Sequence, residues 1–88
     1  MISNTFVISN ELGLHARAAA AFVKIANRFR SGITVKKDSV AVNGKSIMGV
    51  LMLAAAKGTE ITVEADGSDE AEAIKELGSL INAKFGEE

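Results

Sequence analysis

Residues 2–8 alternate so that Ile2, Phe6 and Ile8 fall on one side of an extended chain, which predicts a first strand. A polar, glycine-containing loop over 9–15 follows and ends in Gly13-Leu14-His15. From about 16 to 28 the period becomes helical, with Ala18, Ala19, Phe22, Val23, Ala26 and Phe29 on one stripe, and Ser31-Gly32 closes the segment. Ile33-Thr34-Val35 alternates again as a short strand. Lys37-Asp38 is placed as the turn of a hairpin into Val40-Ala41-Val42, and Asn43-Gly44 breaks that strand. Ser46 stands where an N-cap belongs, ahead of a short apolar segment over 47–53 that Lys57-Gly58 ends. Ile61, Val63 and Ala65 alternate with Glu60, Thr62, Glu64 and Asp66, the pattern of a half-buried strand. Asp69 and Glu72 have capping-box spacing before a last helix over about 69–84, whose apolar side is Ala73, Ile74, Leu77, Leu80, Ile81 and Phe85.

The order strand, helix, strand, strand, helix, strand, helix predicts a single domain over 1–88, with one open sheet and helices on one of its faces. Composition narrows what such a domain does. Apolar residues form 48% of the 88, enough to build a core at this length. A net charge of -1 opposes a protein that coats nucleic acid, and four Phe with no Tyr or Trp give little to stack bases on. The absence of cysteine fits a cytoplasmic protein, and one histidine without cysteine speaks against a zinc site. Met1-Ile2-Ser3-Asn4 lacks the basic start and apolar run of a signal peptide. The longest apolar run, near Val50 to Ala56, is too short to cross a bilayer. No metal, no cofactor, no nucleic acid and no membrane insertion are expected, and the chain is expected to be a monomer.

His15 is the candidate for chemistry. It sits between a glycine-containing loop and a helix start, where the first amides lack internal partners and can hold an anion. The positive end of the helix dipole favours phosphate over imidazolium, which helps to keep the ring neutral and nucleophilic. Arg17, two residues on, offers a fork of donors to phosphate oxygens. A neutral imidazole attacks phosphorus directly, and the phosphohistidine formed passes its group on. Taken alone, these residues fit a surface loop histidine beside a solvated arginine better than they fit a phosphate site.

The second feature is Asn43-Gly44-Lys45-Ser46-Ile47-Met48-Gly49-Val50-Leu51. A phosphate on an N-cap serine is electrostatically welcome, so Ser46 is a candidate modification site, although capping by itself explains its position. The short helix after it is apolar almost all round. One side faces the sheet, and the other, expected to be Ile47, Met48 and Leu51, is left exposed as an adaptable docking surface.

Gly13-Leu14-His15-Ala16-Arg17 before an alanine-rich helix, together with the motif from Asn43 to Val50, resembles the HPr family. These are the histidine-containing phosphocarriers of the bacterial phosphoenolpyruvate-dependent phosphotransferase system. The resemblance covers essentially the whole chain, with both motifs in register. It implies an α+β fold of order βαββαβα: an open-faced β-sandwich whose four-stranded antiparallel sheet carries three helices on one side. It implies phosphorylation of His15 at Nδ1 by phospho-enzyme I and transfer onward to an enzyme IIA component. Arg17 and the start of the helix at Ala16 would hold the phosphate, and Ser46 would be the serine modified by an HPr kinase/phosphorylase. Ala16, Ala20, Ile47, Met48 and Leu51 would form the docking surface. One position departs from the family pattern, Ala18 in place of proline. Proline in a first helical turn removes an amide that lacks a partner anyway, so alanine there deletes no donor to phosphate. A carrier in a nitrogen-type or purely regulatory relay, without sugar transport, is the alternative within the same chemistry.

Overall fold

A computed structural model describes residues 1–87. Four strands, β1 (Ile2–Val7), β2 (Gly32–Lys37), β3 (Val40–Asn43) and β4 (Glu60–Asp66), form one antiparallel sheet in the order β1-β4-β2-β3. Three helices, α1 (Ala16–Ala26), α2 (Ile47–Met52) and α3 (Glu70–Asn82), complete the expected order. The strands read as sheet because their apolar residues recur every second position, and the register aligns those residues across strands. Phe6 opposes Ile61, Val35 opposes Val63 and Ile33 opposes Ala65. Ile33, Val35, Ile61, Val63 and Ala65 are buried under the helices, while Thr5, Thr62, Lys36 and Glu64 occupy the alternate positions. Burying each Ile or Val side chain is worth about 1.5–3 kcal/mol, so the central strands are a substantial part of the core. Ala18, Ala19, Phe22, Val23 and Ala26 from α1, and Ala73, Ile74, Leu77 and Ile81 from α3, join them in one cluster.

Several local details differ from the sequence pattern. The hairpin turns at Asp38-Ser39 rather than Lys37-Asp38, because Lys37 pairs with Val40 and stays in the strand. Asp38 takes the left-handed conformation (φ 54°) that Asp tolerates better than Lys. The helix expected over 16–28 ends at Ala26. Arg28 and Phe29 donate to carbonyls three residues back, and Asn27 Nδ2 donates to the Val23 carbonyl at 3.0 Å. Lys45 Nζ donates to the Phe29 carbonyl at 2.7 Å, which ties the end of α1 to the chain before α2.

Asp69 makes no capping bond. Its carboxylate instead accepts from the Arg30 and Ser31 amides at 2.9 and 3.0 Å and from the Ser31 hydroxyl at 2.5 Å. Those bonds hold the Asp69 carboxyl down at about 2, first through the Ser31 hydroxyl and then through the Arg30 amide. The reach-back of a capping box is supplied by Glu70, which accepts from the Gly67 amide at 3.0 Å. The last helix stops at Asn82, short of the expected 84. Lys84, Phe85 and Gly86 follow with φ of 57°, 56° and 80°, a tight turn that reverses the chain. Buried Phe85 anchors this turn to the core.

Candidate functional site

The loop over 9–15 is fixed before it reaches the histidine. Gly13 has φ 66°, its amide donates to the Asn10 carbonyl, and the Leu14 amide donates to the Ala55 carbonyl at 2.8 Å. Asn10 is buried, and its Nδ2 donates to the Gly13 carbonyl at 2.8 Å. Leu14 is buried as well, so the chain delivers His15 to the surface from two packed neighbours.

His15 is the N-cap residue of α1. Its carbonyl accepts from the Ala19 amide, but its side chain makes no capping bond and the first turn holds no acidic residue. Among the described residues, no side chain accepts from the amides of Ala16, Arg17 or Ala18, so these donors are left for an outside anion. The imidazole is partly exposed, its side chain keeping 28% of its accessible area. Nε2 donates to the Glu87 Oε2, while Nδ1 has no hydrogen-bond partner among the described residues. Glu87 is held in turn by Asn10, whose Nδ2 donates to the Glu87 Oε1 at 3.1 Å. The bond from His15 is the main cause, ahead of that from Asn10, that keeps the Glu87 carboxyl below the usual glutamate range. Partial burial opposes this, and the charge of Arg17 adds to it.

His15, Ala16, Arg17 and Glu87 line one open cleft of about 600 Å³ together with Glu11 and Leu12. Arg17 is exposed and forms no ion pair or side-chain hydrogen bond among the described residues. Glu11 is occupied by Lys57, which approaches it at 2.7 Å and lowers its carboxyl. The cleft thus holds a nucleophilic nitrogen, a set of unpartnered helix amides and an uncommitted guanidinium, which together can accept and hold a phosphoryl group. No group of three or more metal-ligating residues occurs among the described residues, and no described helix is long and apolar enough to cross a membrane.

Ser46 lies outside this cleft. It is the N-cap of α2, and its Oγ accepts from the Gly49 amide at 3.1 Å, as its position in the sequence predicted. α1 and α2 pack against each other, and each leaves part of its surface bare. Ala16 and Ala20 are exposed on α1, and Ile47, Met48 and Met52 keep 43%, 69% and 75% of their area on α2. Leu51, expected among the exposed residues, is half-buried against the core, and Met52 is exposed instead. The period of the helix explains the exchange. Val50 is fully buried, and Met48 and Met52 each lie two residues away, about 160° around the axis from it, whereas Leu51 lies about 100° away.

The sequence pattern missed four contributors. Leu12 (70% exposed) was visible as an apolar residue in a polar loop, and Met52 followed from the helical period. Glu87 had no local signal, because 72 positions separate it from His15 and only the terminal turn brings the two together. Asn10 likewise reads as an ordinary loop residue. Charge is also unevenly distributed along the chain: residues 12–59 hold eight basic residues against one acidic residue, Asp38. Of these, Arg17 and Lys24 lie seven apart on one exposed stripe of α1, and exposed Arg28 follows just after it.

Comparison with known proteins bears on the family and the fold. The family model described as "PTS HPr component phosphorylation site" matches residues 2–83. The phosphocarrier protein HPr of Neisseria meningitidis is 55% identical over 87 residues, covering 99% of this chain and 98% of that one. The HPr-like protein Crh of Bacillus subtilis is 44% identical over 81 residues, covering 92% of this chain and 95% of its own. The crystal structure of HPr-C-His from Thermoanaerobacter tengcongensis superposes with a TM-score of 0.97 at 51% identity. It covers all of this chain and 99% of that one.

Proposed function

From the premise that this chain belongs to the HPr family, the phosphocarriers of the phosphotransferase system, we propose that His15 is the atom-by-atom seat of the carrier function. In this reading Nδ1 of His15 takes a phosphoryl group from phospho-enzyme I and delivers it to an enzyme IIA component in sugar uptake. The observation that carries the reading is the ring's disposition: Nε2 is engaged by Glu87, Nδ1 has no hydrogen-bond partner among the described residues, and the residue is the N-cap of α1 in a cleft that Ala16 and Arg17 also line. The amides of Ala16 and Arg17 and the Arg17 guanidinium would neutralise charge on the phosphoryl oxygens. Ala16, Ala20, Ile47, Met48 and Leu51, now joined by Met52 and Leu12, would seat the partners. The basic stripe of α1 favours partners with an acidic surface at that point, which speeds encounter more than it tightens binding.

Ser46 would be the regulatory site of an HPr kinase/phosphorylase. Its place as an N-cap supports that role, because a phosphate there meets the positive end of α2. The likeness to the Bacillus subtilis HPr-like protein Crh favours a second reading, a regulatory relay without sugar transport. The presence of both His15 and Arg17 favours the carrier.

Incubation with phosphoenolpyruvate and enzyme I, followed by intact mass measurement, tests the main reading. The protein should gain one acid-labile phosphate, and His15→Ala should gain none. An adduct that persists in His15→Ala, or none in the unaltered protein, would sink it. Incubation with ATP and HPr kinase should add acid-stable phosphate that Ser46→Ala abolishes.

A further inference from the structure

The contact of Glu87 with Nε2 has so far served only to mark Nδ1 as the free nitrogen, yet its carboxylate is the group in direct contact with the ring. We infer that Glu87 is a positioning residue for phosphoryl transfer: it fixes the proton of His15 on Nε2 and so presents Nδ1, with its lone pair, to the phosphorus. The inference rests on the carrier reading above.

Three observations carry it. An ionised carboxylate only accepts hydrogen bonds, so the nitrogen facing it must carry the hydrogen. Ionisation is favoured at this place, since the bonds from His15 and Asn10 both hold the Glu87 carboxyl below its ordinary range. Glu87 is itself constrained. Asn10, 1% exposed, binds its other oxygen, and buried Phe85 with the left-handed turn over Lys84–Gly86 aims it back at α1. A solvated tail glutamate would have none of these restraints.

The chemistry balances without any proton transfer. As the Nδ1 lone pair forms the N–P bond, the bond from phosphorus to the donor's leaving atom breaks, and its electron pair stays with the donor. The ring then carries a phosphoryl group on Nδ1, a hydrogen on Nε2 and one positive charge. The Glu87 carboxylate lies against that charge on the side away from phosphorus. In onward transfer the N–P electron pair returns to Nδ1, and the ring is restored to the same neutral tautomer. One fixed hydrogen bond therefore serves both directions. Of the other charged groups described at the cleft, Arg17 would face the phosphoryl oxygens, and Glu11 is paired with Lys57.

The test uses the full chain and the variants Glu87→Gln and Glu87→Ala. Nitrogen-15 NMR of the ring, at alkaline pH where the ring is neutral, should give the Nε2–H tautomer alone in the unaltered protein. In both variants it should give a mixture of the two tautomers. Phosphate uptake from phosphoenolpyruvate and enzyme I should slow on the order of tenfold in each variant, the scale of one partly solvated hydrogen bond to a charged group. Circular dichroism melting should confirm that the variants fold. If the unaltered protein takes up phosphate and the variants match it in tautomer and rate, the positioning role is overturned. If the unaltered protein takes up none, the carrier reading falls, while the tautomer measurement still reports on the Glu87 contact by itself.

Discussion

Replacing Gly13 by alanine should unseat the histidine loop, and the structure gives the size of the effect. A Cβ on Gly13 would lie 2.4 Å from the Ala55 carbonyl oxygen and 2.9 Å from the Ala56 Cα. Both are backbone atoms, which cannot swing aside as a side chain would. The same Ala55 carbonyl receives the Leu14 amide, so the clash falls on the bond that anchors the residue before His15. Gly13 also has φ 66°, a conformation that costs a non-glycine residue about 1–2 kcal/mol. Forcing a methyl into a packed contact costs about 1–3 kcal/mol more. The total, about 2–5 kcal/mol, is a large share of the stability of a domain this small. Gly58 supplies the control. It has φ 90°, but a Cβ there would meet nothing within 4 Å, so Gly58→Ala should incur the conformational cost alone. Urea denaturation of the two variants separates the terms, and each kcal/mol should appear as about 4–8 °C in Tm. Phosphate uptake should slow in Gly13→Ala and hold in Gly58→Ala. Equal denaturation midpoints for the two variants would refute the claim that contact with residues 55–56 fixes the loop.

Arg17→Ala should slow phosphate uptake markedly while leaving Tm within a few degrees. The guanidinium is exposed and unpaired among the described residues, so it contributes to charge on the phosphoryl group rather than to folding; equal uptake rates would contradict this. The Asp69 carboxyl titrates at about 2 in the folded chain against an ordinary 3.8, so the unfolded chain binds its proton first as pH falls. Its stabilising contribution is complete above the ordinary value and is lost as pH drops through about 2. Thermal unfolding between those two pH values should therefore be less pH-dependent in Asp69→Asn, and an unchanged slope would show that the Ser31 clasp does not couple to folding.

The parts of the fold that rest on periodicity were legible in the sequence. β4 could be read from the alternation Ile61, Val63, Ala65, and the inner face of α1 from Ala18, Ala19, Phe22, Val23 and Ala26, because burial of those residues is what forms the elements. The Ser46 cap was legible for a different reason: an N-cap bond is local and needs only the amide three residues on. What failed were details decided by groups distant in sequence. Asp69 has the right spacing to cap α3, but the Ser31 hydroxyl and the Arg30 and Ser31 amides compete for its carboxylate and win with three bonds. Leu51 was misplaced for a geometric reason, since a six-residue helix has too few turns for composition alone to say which residue opposes the sheet. At the site, His15 and Arg17 could be found because they are neighbours in a motif, while Glu87 depends on three successive left-handed residues that no hydrophobic pattern marks.

That difference between what was visible and what was hidden has a mechanistic counterpart. A carrier presents one nitrogen to two different partners, so nothing that orients the ring can occupy the side where those partners approach. An enzyme can bury its nucleophile and orient it from all directions, but a carrier histidine in the place proposed for His15, whose side chain keeps 28% exposure, would have to leave Nδ1 clear. The orienting contact then has to come from behind, at Nε2, and from a segment that is itself anchored. Glu87 meets both conditions: Asn10 and the turn on Phe85 hold it, and its own side chain is only 17% exposed. The helix amides and Arg17 have no side-chain partners among the described residues, and in the proposed reading the phosphoryl group would complete their hydrogen bonding as it arrives. On the proposed reading, the motif around His15 would supply the binding of phosphate, and the turn that carries Glu87 would supply the aim.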